Sequence, residues 1–336
     1  MDDTELLERA ALRIGTSLRG KYLLVRVLGV GGMAAVYEAT HRNGTRVAVK
    51  ILHREIASSA EVKRRFQREG YIANQIQHPG VVRIIDDDED DDGTVFIVME
   101  LLEGRTLQSE LTACGGRMPP ARVVAIADAL LDVLDAAHAA GVIHRDIKPD
   151  NIFLTFGGLK VLDFGIARLA DSMSATKSGQ MMGTAEYMAP EQAAGQVREI
   201  DGRTDLFSVG AMMFTLISGE FTQIARTPTE YIIFSATKQV RSISDVMPSL
   251  DSGLAGVIDV ALTFEKKRRW SSARNMQAAL RAASLGNEST LIAPGQSSVQ
   301  RSQAEQERRQ VINAQPTAPE ISQTRTLALD PAKRKG

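Results

Sequence analysis

Eight consecutive residues, His144-Arg145-Asp146-Ile147-Lys148-Pro149-Asp150-Asn151, limit most sharply what this chain can fold into. They place an imidazole, carboxylates, an ammonium and a carboxamide in one short loop, and Pro149 stiffens it. Asp163-Phe164-Gly165 begins twelve residues beyond Asn151, and Val47-Ala48-Val49-Lys50 lies far upstream. A single Asp, Lys or Asn in a loop is usually solvated. This set, at this spacing, is not chance.

The flanking pattern changes character along the chain. Residues 1–20 read as a short helical extension, with Leu6, Leu7 and Ala11 at helical spacing. Strand-like runs follow over Tyr22–Leu28, Ala35–Ala39 and Arg46–Leu52, and Asn43-Gly44 between the last two is a hairpin signal. The chain therefore opens as an antiparallel sheet. Glu61–Gln77 reads as a helix with Val62, Phe66, Glu69, Ala73 and Ile76 on one face. Glu69 on an inward stripe requires a cation, and Lys50 is the candidate. Gly70 beside it weakens the helix by about 1 kcal/mol relative to alanine.

Two more strands are expected at Val81–Ile85 and Thr94–Met99. The acidic run Asp86–Asp92 between them reads as a solvated, self-repelling hairpin tip, with a cation site as the alternative. Beyond Glu103-Gly104 the pattern turns helical, over 122–140, 204–218 and 253–283. From about Ser284 the composition shifts to Ser, Thr, Gln, Pro and charge, which reads as a disordered tail.

Composition excludes several classes. A net charge of −1 without a basic block argues against nucleic acid. The acidic start, Met1-Asp2-Asp3-Thr4-Glu5, is unlike a secretory signal, and no apolar run is long enough to span a bilayer. The single cysteine, Cys114, fits a reducing compartment, so the expected location is cytoplasmic. Leu28-Gly29-Val30-Gly31-Gly32-Met33-Ala34-Ala35-Val36 is a glycine-rich turn between two strands. A dinucleotide fingerprint would need a helix after it, and the nucleotide-binding pattern ending in Gly-Lys-Ser/Thr is absent.

His-Arg-Asp-x-x-x-x-Asn followed by Asp-Phe-Gly, with the lysine of Val47–Lys50, resembles the protein kinases, in particular the bacterial, eukaryotic-like Ser/Thr type. The likeness covers about residues 20–283. It implies an α+β, two-lobed fold: a small antiparallel β-sheet lobe with one key helix over 21–100, a hinge over 100–104, and a larger, mainly α-helical lobe over 105–283. Residues 1–20 would be an extension and 284–336 the tail.

The resemblance also implies roles. Asp146 accepts the proton of a substrate hydroxyl, and Lys148 stabilises the transferred phosphate and points to Ser/Thr acceptors. Asn151 and Asp163 hold Mg²⁺, with Mn²⁺ a possible substitute. The turn Leu28–Val36 cradles ATP, although Ala34 stands where a third glycine is usual. Ala48, Lys50, Glu69, Glu100, Leu102 and Leu154 complete the nucleotide site, with Met99 at its back. Arg145 calls for an anion, supplied by autophosphorylation at Thr176 and Ser178. Thr184 braces the loop, Glu191 pairs with Arg269, and Asp205 holds the catalytic loop. Around Arg269 the usual Asp-Pro is Glu265-Lys266.

Protein substrates carrying Ser or Thr follow, in signal transduction. Thr290, Thr317, Thr324 and Thr326 of the tail would suit phosphothreonine-reading partners, or the tail is a plain linker. A pseudokinase scaffold would normally lack Lys50, Asp146 or Asp163. A small-molecule phosphotransferase would not need the segment Ala189-Pro190-Glu191, which shapes a peptide platform.

Overall fold

The structure, a computed structural model, describes residues 3–57, 59–164 and 185–290, without the side chains of residues 3, 65, 69 and 285–290. A helix, α1 (Asp3–Ala11), precedes the strands β1 (Ser17–Leu18), β2 (Tyr22–Val30), β3 (Ala34–His41) and β4 (Arg46–Leu52). Two helices, α2 (Arg54–Ala57) and α3 (Ala60–Ala73), then lead to β5 (Ile84–Glu89) and β6 (Val95–Glu100). The strands form an antiparallel sheet in the order β1-β2-β3-β4-β6-β5. Asn43-Gly44 turns the β3–β4 hairpin as expected. Gly44 has φ +89°, and the Asn43 side chain accepts from the Thr45 N–H at 2.9 Å. In α1 the buried face is Leu6 and Ala10, so Leu7 and Ala11 point outward.

The helix expected over 61–77 stops at Ala73. Asn74 caps it, still with helical backbone angles (φ −72°, ψ −13°), and its side chain pairs with the edge strand, donating to Ile84 O at 3.0 Å and accepting from Ile84 N at 3.1 Å. The strand expected from Val81 starts at Ile84, and Val81 and Val82 pair instead with Val161.

The acidic run departs most from expectation. Asp86 to Glu89 lie within β5, and only Asp90–Gly93 make the turn. Cations and hydroxyls on neighbouring elements make this strand tolerable. Tyr22 donates to Asp86 at 2.9 Å and Tyr71 to Asp87 at 3.1 Å. Arg19 meets Asp88 and Asp91, Lys63 meets Glu89 at 2.8 Å, and Arg54 meets Asp92 at 3.3 Å. Burial, then the hydrogen bond to Asp86, pushes the Tyr22 hydroxyl up to about 12. The run is thus a paired strand edge rather than a free tip.

The second lobe begins with β7 (Gly104–Thr106), α4 (Leu107–Ala113) and α5 (Pro120–Ala139), then β8 (Ile152–Thr155) and β9 (Gly158–Val161). Beyond residue 185 come α6 (Pro190–Ala193), α7 (Gly202–Ser218), α8 (Pro228–Thr237), α9 (Ile243–Val246), α10 (Ser252–Ala261) and α11 (Ala273–Thr290). Every residue of α7 from Thr204 to Ser218 is buried, as expected for a helix apolar on all sides. It packs on α5 and α10 to form the lower core.

The helix expected over 253–283 is two helices. The chain breaks between them so that Arg269 can reach inward. Nor does the composition shift at Ser284 end α11, which runs to Thr290. Arg274 on Asp135, Arg281 on Asp128, and the Gln277 amide on the Asp128 carbonyl fasten it to α5. Among the described residues no helix is long and apolar enough to cross a membrane.

Candidate active site

A cavity of about 550 Å³ opens between the lobes. Its roof carries Leu28, Gly29, Val36 and Ala48, and its rear carries Met99. The ladder explains this arrangement: Val36 pairs with Lys50 and Ala48 with Met99, so β3, β4 and β6 present these residues side by side. Glu100 and Leu102 line the connection to the second lobe. The Glu100 N–H donates to Arg83 O at 3.0 Å, so its backbone can meet a ligand only through the carbonyl.

On the floor the wall residue is Phe153, while Leu154 packs into the lower core. The family resemblance implies Leu154 at this place. Neighbouring residues of a strand face opposite sides, so an error of one position moves the side chain out of the site. Of the glycine-rich turn, Val30, Gly31, Gly32, Met33, Ala34 and Ala35 lie beyond the cavity wall proper. Ala34 already belongs to β3, paired with Leu52.

Lys50 lies 2.7 Å from the Asp163 carboxylate, across the cleft. Burial alone would raise the Asp163 carboxyl, but the Lys50 charge and hydrogen bond outweigh it and hold the group below its ordinary value. Half of the Asp163 side chain still faces the open cleft. Its φ of +41° is a left-handed conformation that costs energy outside glycine and is common at functional sites. The expected partner of Lys50, the Glu69 side chain, lies outside the described residues. The neighbouring α3 positions Gly70 and Ala73 do face the cavity.

Asp205, fully buried, organises the loop carrying Asp146. Its carboxylate accepts from His144 N at 2.9 Å, Arg145 N at 2.8 Å and His138 Nε2 at 2.8 Å. Arg145 has φ +67°, and the Gln192 amide donates to its carbonyl at 2.8 Å. Both sides of this strained residue are therefore pinned. His144 Nδ1 accepts the Asp146 N–H at 3.2 Å, so the ring proton is on Nε2 and bonds Leu162 O at 2.9 Å. The same ring contacts Phe164, with centroids 4.8 Å apart. His144 thus ties Asp146 to Asp163. Asn151 Nδ2 donates to Asp146 Oδ2 at 2.8 Å and to Asp146 O at 2.7 Å. Lys148 Nζ lies 3.8 Å from Asp146.

The family model "Protein kinase domain" matches residues 22–281. This chain belongs to the protein kinase family. It is 38% identical over 271 residues to the serine/threonine-protein kinase Pkn1 of Myxococcus xanthus, covering 79% of this chain and 38% of that one. Against PrkC of Bacillus subtilis it is 34% identical over 272 residues, covering 80% and 41%. The chain thus spans roughly two fifths of these relatives. Its fold matches the crystal structure of the Mycobacterium tuberculosis PknI kinase domain with a TM-score of 0.64 and 29% identity, over 81% of this chain and 98% of that one.

The kinase domain anchors the segment Ala189-Pro190-Glu191 through a buried pair. Both oxygens of Glu191 meet Arg269 at 2.9 Å, and Thr204 donates to Glu191 at 2.7 Å. Burial alone would raise the Glu191 carboxyl; Arg269 overrides this and holds it low. The expected pairing is present despite Glu265-Lys266. Burial pulls the Arg145 guanidinium down from its ordinary value, against the opposing charge of Asp205. Its Nε is buried without a hydrogen-bond partner among the described residues. Thr176, Ser178 and Thr184 lie outside the described residues.

Three participants escaped the sequence reading: Gln192, His138 and Phe153. Gln192 directly follows Ala189-Pro190-Glu191, yet its target lies 47 residues away in sequence. No local signal marks that contact.

Proposed function

We propose that this kinase domain transfers the γ-phosphate of ATP to serine and threonine hydroxyls of proteins, using Mg²⁺. The observation that carries the proposal is the facing pair of clusters, Asp146 with Asn151 and Lys148 on one side and Lys50 with Asp163 on the other. Phosphoryl transfer needs positioning and charge stabilisation more than covalent help, and these clusters supply both.

Asp146 would take the hydrogen bond, and finally the proton, of the attacking hydroxyl as the new O–P bond forms and ADP leaves. Lys148 would steady the charge on the phosphoryl oxygens, and Lys50 the α- and β-phosphates. The apolar roof over Val36 and Ala48 suits an adenine ring, with Glu100 and Leu102 offering backbone groups at its edge.

The donor set fits Mg²⁺, which takes hard oxygens and usually keeps water and substrate phosphates as further ligands. Asp163 is held as a carboxylate, and Asn151 has its amide nitrogen committed to Asp146, so its ligand atom would be the carbonyl oxygen. Once bound, the ion would neutralise phosphate charge. Asp163 and Asn151 would fix where it sits.

Autophosphorylation of Thr176 and Ser178 would regulate the enzyme. In support, Arg145 is strained, pinned on both sides and buried at Nε without a partner among the described residues, which suits an incoming phosphate. A cytoplasmic location, where ATP is available and Cys114 stays reduced, fits this chemistry. The tail beyond residue 290 would serve as a linker or carry threonines read by phosphothreonine-binding partners.

Incubating the full chain with ATP, Mg²⁺ and an acceptor protein, then mapping phosphate by mass spectrometry, tests the proposal. The expected products are phosphoserine and phosphothreonine on the acceptor and phosphate on Thr176 and Ser178. An unmodified acceptor contradicts the enzyme; a fully active enzyme bare at both residues contradicts only the regulation.

A further inference from the structure

We propose that His53 is a positioning residue for the phosphate loop, holding the glycine-rich turn so that its backbone meets the nucleotide phosphates in one fixed orientation. The inference rests on the nucleotide site proposed above.

His53 lies one residue beyond β4, the strand that carries Lys50. Its Nε2 is 2.8 Å from Gly31 O, and its backbone N–H donates to Met33 O at 2.9 Å. A carbonyl oxygen can only accept, so the imidazole must present a proton there. Gly31 N–H in turn donates to Ala34 O at 2.9 Å. Both ends of the Gly31–Met33 tip are therefore tied to a single residue.

Hydrogen bonds matter here because packing anchors the tip at Met33, against the cluster built on Leu52 and Phe66, and not at Gly31. A Cβ placed on Gly31 would find only Ala34 O within 4 Å, and one on Gly29 would find nothing. Glycines in such open space sample a wide range of backbone angles. The peptide unit is rigid and planar, so fixing the Gly31 carbonyl also fixes the direction of the Gly32 N–H in the same plane. Backbone N–H groups are what such a turn offers to phosphate. His53 thus restrains the plane of the Gly31–Gly32 peptide.

His53 is also a joint. Its carbonyl accepts from the N–H groups of Ile56 and Ala57 and so starts α2. Met33, Ile56 and Ala57 pack on the same cluster, built on Leu52 and Phe66. On its outer side α2 is tied to α1 by Arg9 and Glu55 at 2.8 Å. A shift of α2 would therefore reach the phosphate loop through one imidazole.

The test compares ATP and adenosine binding, by calorimetry on the full chain, for wild type, His53→Ala and His53→Gln. Loss of one net hydrogen bond corresponds to about three- to tenfold. His53→Ala should weaken ATP by up to that factor and leave adenosine unchanged, with a melting midpoint lowered by no more than a few degrees. His53→Gln, which can present an amide N–H at similar reach, should recover most of the ATP affinity. Equal ATP affinity in wild type and His53→Ala, or equal loss for adenosine and ATP, overturns the role of His53 and leaves the nucleotide site standing. Wild-type protein that binds neither ligand removes the site itself, and the role of His53 with it.

Discussion

Asp146→Asn should lower kcat by about 10²- to 10⁴-fold, the range lost with a general base, while the KM for ATP stays close to wild type. The substitution keeps shape and an oxygen for the Asn151 amide, which now bonds Asp146 Oδ2 at 2.8 Å. It removes the group able to take the hydroxyl proton. ATP affinity should survive because Asp146 lies outside the wall of the 550 Å³ cavity. Steady-state kinetics with a saturating acceptor protein would check this. An unchanged kcat would remove Asp146 from the chemistry.

Arg269→Ala should be the most damaging single change to stability. Arg269 and Glu191 are buried together, with side-chain exposures of 0% and 5%. Removing the arginine leaves an unpaired carboxylate in the interior, which typically costs about 3–5 kcal/mol. For a domain of this size that lowers the melting midpoint by roughly 10 °C. The guanidinium also stacks 4.8 Å from Phe207 and donates to the carbonyls of Thr263 and Phe264, so packing is lost with the charge.

The pair gives stability a defined pH dependence. Glu191 has its carboxyl held below the ordinary value in the folded state. Its contribution is therefore complete above the unfolded carboxylate pKa, about 4.3. It is lost as pH falls through the lower folded value. Wild type should lose this stability on acidification, and Arg269→Ala should show a flatter acid limb. Melting curves from neutral pH downward measure it, and parallel limbs would contradict the assignment.

The residues legible from sequence were those whose chemistry is set by short spacing. Asp146, Lys148 and Asn151 share one loop, and Asp163 follows soon after, so one motif located them together. Glu191–Arg269 and Asp205 became legible through the family resemblance and lie where it implied. Contacts decided by tertiary approach were not legible. Gln192 reaches the Arg145 carbonyl and His138 reaches Asp205 only because α6, α5 and α7 converge. Leu154 against Phe153 shows how a strand's alternation punishes a slip of one residue. In the acidic run, charge alone suggested a loose tip. Arg19, Arg54 and Lys63, brought in from elsewhere in the fold, made a strand of it instead.

The central claim is that a nucleotide sits between the lobes with its phosphates directed toward Lys50, Asp163 and Asp146. Crystals of the full chain grown with a nonhydrolysable ATP analogue and Mg²⁺ test it most directly. Adenine is expected beneath Val36 and Ala48, the ion on Asn151 and Asp163, and the terminal phosphate nearest Asp146. An empty or collapsed cleft, or a nucleotide bound elsewhere on the molecule, would contradict it.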